Sequence, residues 1–207
     1  MRYGDQADHT VRVGPTIAWA SLVLAPLIGI TMILVEGFTV PTLLGALTTL
    51  TRVSSLIFIV IFVARPLHDL LGAKWTAWLV ANRRYLGLSF AAWHLMHWPI
   101  LASVLAIQGP ATFWKYTHSY LIPATAVLLV ITFMAATSTD RAVRWLGKPR
   151  WSTLHTIGLY AIWGWMVRNY VVMMHRHQLH LYVHLTLLCA AMAFRLAMAG
   201  RRVLRAR

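Results

Sequence analysis

Three histidines of this chain, His94, His97 and His155, lie inside apolar stretches, where an ionisable side chain is expensive and calls for a reason. Two of them close the stretch Arg83 to His97, RRYLGLSFAAWHLMH; three residues apart, they share one face of a helix. At about 1.5 Å per residue, the steps from Arg84 to His97 carry the second imidazole about 20 Å from the charged end, past the middle of a bilayer. His155 stands only about 5 to 8 Å inside its own apolar run. Neutral imidazole is a ligand for haem iron, and a transmembrane haem b asks little else of a protein: facing helices, an apolar pocket and cations for the propionates. His97 and His155 are therefore candidate iron ligands, with His94 as a further imidazole one turn shallower than His97. Arg52, at the start of an apolar run, has two readings: an anchor that snorkels to the interface, or a partner for a cofactor carboxylate. The bland alternative for each histidine is an interhelical hydrogen bond. Their depths differ, so one porphyrin clamped between His97 and His155 does not follow from the spacing.

A second group, His175, His177, His180 and His184, occupies HRHQLHLYVH. His180 and His184 are spaced to share a metal on one helical face, with His177 as a third ligand, but interface packing explains them as simply.

The elements that must position these side chains follow from composition. Of 207 residues 59% are hydrophobic and 12% charged, far from the quarter charged that is usual in soluble domains, so the chain is an integral membrane protein. Apolar runs predict an all-α, polytopic bundle of six transmembrane helices in a single domain, 1–207, with spans at about 17–35, 53–66, 85–107, 120–136, 153–174 and 179–198. Residues 38–51 are expected to lie at the interface before the second span, 65–84 to form a polar connection and 108–119 a short loop. Thr139 or Ser138 is expected to cap a short helix ending at Gly147, with Pro149 stopping continuation. The single cysteine, Cys189, excludes an intrachain disulfide and is expected in the core. No P-loop, Gly-rich dinucleotide fingerprint or GxSxG elbow is present, so the chain holds no flavin or nucleotide domain of its own.

The formal charge of +14 is placed, not spread. Of the 19 Lys and Arg residues, all but Arg52, Lys115, Arg168 and Arg176 fall at the termini or in the connections on their side. The positive-inside rule puts both termini in the cytoplasm, which accounts for the charge without nucleic acid.

Two stretches in order, RRYLGLSFAAWHLMH and STDRAVRWLGKPRWSTLHTIGLY, resemble the ferric reductase-like transmembrane domain family, in particular the haem-binding membrane subunits of bacterial methionine sulfoxide reductase systems. The resemblance covers about residues 45 to 178. It implies an electron-transfer subunit of the bacterial inner membrane, not a self-contained enzyme, that binds haem b and passes electrons from a quinone or flavin-protein donor to a protein partner. It carries haem ligation over to His97 and His155. The family places a further fifth-helix histidine 13 residues beyond the first, opposite the third-helix ligand, and here that position is Arg168. Arginine cannot deprotonate to bind iron, though it can pair with a propionate or fill the vacated site, and His94 is an addition that could compensate. Two expectations result: a haem b subunit carrying electrons across the membrane, or a haem-free relative serving as a structural or assembly subunit of a larger membrane complex. On this alignment, Arg168→His is expected to restore an imidazole pair with His97.

Overall fold

The computed structural model describes residues 13–174 and 178–205, and among these the chain is helical, with short breaks and no strand. Five helical runs are long and apolar enough to cross a membrane: Gly14–Glu36, Val40–Leu71, Arg83–Gln108, Pro110–Ala136 and Leu179–Leu204. The protein is an all-α, multi-pass membrane bundle. The helix over the expected fifth span, Lys148–Met173, has the length, about 39 Å, but Lys148, Arg150, His155, Arg168 and Asn169 dilute its apolar character.

Helix α1 (Val13–Glu36) continues through Pro26 and ends where Gly37 turns to φ 85°. Helix α2 (Val40–Leu71) is the central post, packed against elements on every side. Thr39 caps it by accepting from the Thr42 N–H at 3.4 Å, Pro41 sits in its first turn, and Gly72 at φ 59° closes it by returning its N–H to the His68 carbonyl. This corrects the expectation of an interfacial segment over 38–51 and a short span over 53–66. The threonines that lower the hydropathy of that stretch satisfy themselves within a helix: Thr48, Thr49 and Thr51 donate to the carbonyls of Leu44, Gly45 and Leu47 at 2.8 to 3.1 Å. Arg52 therefore stands in the interior of a 32-residue helix, about 18 Å from its Val40 end, and not at the start of a span.

Short α3 (Lys74–Ala81) makes most of the expected polar connection helical and leads through Asn82 into α4 (Arg83–Leu95). The expected continuous span over 85–107 is broken at Met96, and α5 (His97–Gln108) resumes it. Pro99 explains the break, because it has no N–H for the carbonyl of Leu95. The loop expected over 108–119 is also mostly helix. Gly109 at φ 81° makes the turn, Pro110 opens α6 (Pro110–Tyr116), and a π-helical turn (Thr117–Leu121) joins it to α7 (Ile122–Ala136). Helix α8 (Asp140–Leu146) has Thr139 as its cap, accepting from the Ala142 N–H at 3.2 Å, and ends at Gly147 as expected. Pro149 does not stop the chain there; it lies in the first turn of α9 (Lys148–Met173), where its missing N–H costs nothing. Helix α10 (Leu179–Arg205) completes the bundle.

The core is a column of Phe58, Phe62, Ile131, Ile162 and Leu188, none more than 2% exposed, with Phe58 and Phe62 stacked at 5.4 Å. Cys189 is exposed on α10 rather than buried in this core, because its neighbour Leu188 takes the inward face. Helices α7 and α9 approach closely at Gly158, where a Cβ would stand 2.3 Å from the Met134 sulfur and 3.1 Å from a Val130 methyl. Gly158→Leu is expected to lower stability by about 1 to 3 kcal/mol through overpacking. Thermal unfolding in detergent checks this: an unchanged midpoint would mean that the two helices do not meet there.

Candidate functional site

The polar side chains inside the bundle sit at two levels. Arg65 and Arg52 on α2, and Arg84 and His97 on α4 and α5, are each 13 residues apart, so the levels lie about 20 Å from one another. The ion pairs Arg65–Asp69 (3.1 Å), Arg84–Asp140 (3.0 Å) and Arg202–Asp69 all fall at the first level, which is the basic end of the bundle.

At that end a cavity of about 520 Å³ opens between α2, α4, α7, α9 and α10. Its floor is apolar, built from Phe58, Phe90, Ile131, Leu159 and Ile162, and its rim carries Arg65, Arg83, Arg84 and Arg195 against the single carboxylate of Asp140. His155 is on the wall, half-buried, its ring against Trp151 at 4.3 Å and its Nε2 3.2 Å from the Thr137 hydroxyl. The Trp151 indole N–H donates to the Thr137 carbonyl at 2.9 Å, which ties the start of α9 to the end of α7 and fixes where the imidazole stands. Arg84 donates to the Ser138 carbonyl, and Arg195 donates to the Phe62 carbonyl at 2.6 Å while covering the Phe62 ring at 4.5 Å. Both guanidiniums are thus held at the rim by backbone oxygens.

The second level holds a smaller cavity, about 210 Å³, lined by Thr51, Arg52, His94, His97, Asn169 and His180 together with aromatic and aliphatic side chains. Breaking the helix at Met96 turns His97 so that its Nδ1–H donates to the His94 carbonyl at 2.7 Å. Its Nε2 lies 2.8 Å from the Thr51 hydroxyl, whose one proton is shared between this nitrogen and the Leu47 carbonyl, so both ring nitrogens have a polar partner. His94, 6% exposed, lies against His97 at 4.5 Å and Phe90 at 5.3 Å, with Nδ1 3.3 Å from the Ser54 hydroxyl. The two rings are stacked on one wall and do not oppose each other.

Of the candidate residues, the structure therefore brings His94, His97 and Arg52 to one cavity and places His155 in the other. Arg168 lines neither. Its guanidinium donates to the Ser119 carbonyl at 2.5 Å and lies over Trp165 at 5.0 Å, while its neighbour Asn169 takes the cavity side. At the far end of the bundle, His184 uses Nδ1 on the His180 carbonyl at 2.7 Å and stacks on Tyr170 at 5.4 Å. His175 and His177 lie outside the described residues. Among the described residues, no group of three or more His, Cys, Asp or Glu side chains is arranged to hold a metal ion.

Arg195 and Asn169 were not candidates from sequence. Arg195 carried a signal, since it interrupts the apolar run CAAMAFRLAMAG, but its nearness to the basic tail let it pass as part of that tail. Comparison with family models, with curated proteins and with solved structures finds no match to this chain.

The two cavities differ in how well they suit the haem that the family resemblance implies. The first has a volume in the range of cofactor pockets, one imidazole, an apolar floor and cations at its rim. Gly87, which also lines the cavity from α4, has open space where a side chain would be. The second falls below that range, and both nitrogens of its deepest histidine are engaged. The first fits a haem with one protein ligand; the second, as arranged, does not.

Proposed function

We propose that this chain is a haem b-binding membrane subunit that carries electrons to a protein partner, with the haem in the cavity at the basic end. The observation behind this reading is the composition of that cavity: an imidazole on the wall, an apolar floor and four arginines at the rim facing one carboxylate. Bound haem supplies a one-electron redox centre. His155 would hold the haem iron through its imidazole. Arg83 and Arg195, which make no ion pair among the described residues, would hold the propionates, while Arg65 and Arg84 are paired with Asp69 and Asp140. Phe58, Phe90, Ile131 and Ile162 would keep water from the ring.

In this reading α9 is the fifth of six spans despite its polar positions, the basic end faces the cytoplasm of a bacterial inner membrane, and a quinone or flavin protein is the donor. A reporter fused after Arg207 is expected to be active in the cytoplasm; periplasmic activity of that fusion would overturn the orientation.

A second reading is supported by the other cavity. With His97 held at both nitrogens and Arg168 turned to Ser119, the chain is a haem-free relative that serves as a structural or assembly subunit of a larger membrane complex. A reduced-minus-oxidised difference spectrum of the purified protein separates the two. A b-type signal supports the first reading, and a flat spectrum from protein purified out of haem-replete membranes leaves the second.

A further inference from the structure

Arg52 is a half-buried cation with no counter-charge among the described residues. Among the described residues the carboxylates are Glu36 at the end of α1 and Asp69 and Asp140, both paired at the basic end about 20 Å away. Arg52 makes no ion pair. Its Nη2 lies 3.0 and 3.1 Å from the two ring nitrogens of His180, and its Nε is shut off from solvent with no hydrogen-bond partner. A guanidinium in an apolar setting without a counter-charge is costly, and the cost falls when an anion supplies the charge and accepts from its outer N–H groups.

The cavity beside it has room for one. Its volume, about 210 Å³, corresponds to about seven waters at about 30 Å³ each, enough for a small organic acid or an inorganic oxyanion. Other residues that carry donors line it. A ring nitrogen of His180 that accepts from Arg52 leaves the other carrying the N–H, and Asn169 and Tyr120 border the same space. The cavity is within a turn of the outer helix ends, since it reaches Met173, the last residue of α9, and His180 in the first turn of α10.

We infer that Arg52, with His180, Asn169 and Tyr120, forms a site for a small singly charged oxyanion entering from the face opposite the basic end. The guanidinium fork holds two oxygens of the anion side by side, which a single-point cation does not do. The site does not rest on haem binding, because its residues and cavity are separate from those around His155.

Isothermal titration of the purified full chain with sodium formate, acetate or nitrate, against gluconate at equal ionic strength, tests this. Saturable binding of at least one of the three is expected, together with a rise in thermal midpoint. Carboxylates without nitrate indicate an organic acid, and nitrate alone an inorganic oxyanion. Arg52→Met is expected to weaken binding at least about tenfold and to abolish the rise in midpoint, while Arg52→Lys keeps part of the affinity. Should Arg52→Met fail to fold, Asn169→Leu takes its place, with a loss of about tenfold expected. No saturable binding to the wild type, or equal binding to wild type and the neutral variant, overturns the site. Haem content is a separate readout, so failure here and failure of the haem reading are told apart.

Discussion

His155→Ala is expected to remove the b-type difference spectrum, lowering bound haem at least about tenfold, while the amount of inserted protein stays the same. The imidazole is the only nitrogen ligand among the described residues lining the large cavity, and the remaining side chains there are arginines, aromatics, aliphatics, hydroxyls, one carboxylate and the Met134 thioether. Insertion depends on apolar length, which a half-exposed wall residue does not alter. Thr137→Val is the control, since it removes only the hydroxyl that holds Nε2 at 3.2 Å and should leave most of the haem in place. Unchanged haem content in His155→Ala would take the residue out of the site.

A second large difference is expected between two adjacent substitutions on α9. Asn169→His, combined with Thr51→Val to release the His97 Nε2, adds an imidazole to the cavity that His94, His97 and His180 already line; at about 210 Å³ that cavity is too small for a porphyrin, so the expected gain is in the affinity of the purified protein for a divalent transition-metal ion such as Ni²⁺. Arg168→His should leave that affinity unchanged. Position 168 points to Ser119 and Trp165, so its imidazole would stand outside that cavity. Successive residues of a helix differ by about 100° in direction, and the two variants therefore report the rotation of α9 about its axis. A gain in Arg168→His alone would place residue 168 opposite His97, as the family alignment implies, and would sink the orientation described for α9.

What could be read in advance follows the reach of each signal. Apolar length made the membrane bundle legible, and residue types suited to helix ends made the Thr139 cap and the Gly147 stop so, because these are local properties of the chain. The same logic failed for α2, where threonines that look polar in a list are bonded to carbonyls one turn back and behave as helix formers. Depth alone separated His97 from His155, which do occupy different cavities. The partners of His97 were not legible, since the Thr51 hydroxyl comes from another helix, 46 positions away in the chain, and the His94 carbonyl becomes available only through the break at Met96. The direction of Arg168 depends on the rotation of a helix whose polar residues do not fall on one face, and no periodicity announces that.

The placement of α1 bears on the order of assembly. This helix docks chiefly on α4, the Ser89 hydroxyl reaching the Ile17 carbonyl at 3.3 Å across 72 positions of chain. Chains are synthesised at about 5 to 20 residues per second, so α1 waits about 4 to 14 seconds after it emerges before its dock exists. Meanwhile α2, the next helix made, is its partner, met where Gly45 approaches Met32. A sequence of near-unbroken apolar residues, with Trp19, Leu34 and Val35 still 67 to 79% exposed in the finished bundle, suits a helix that is stable before its main neighbour arrives.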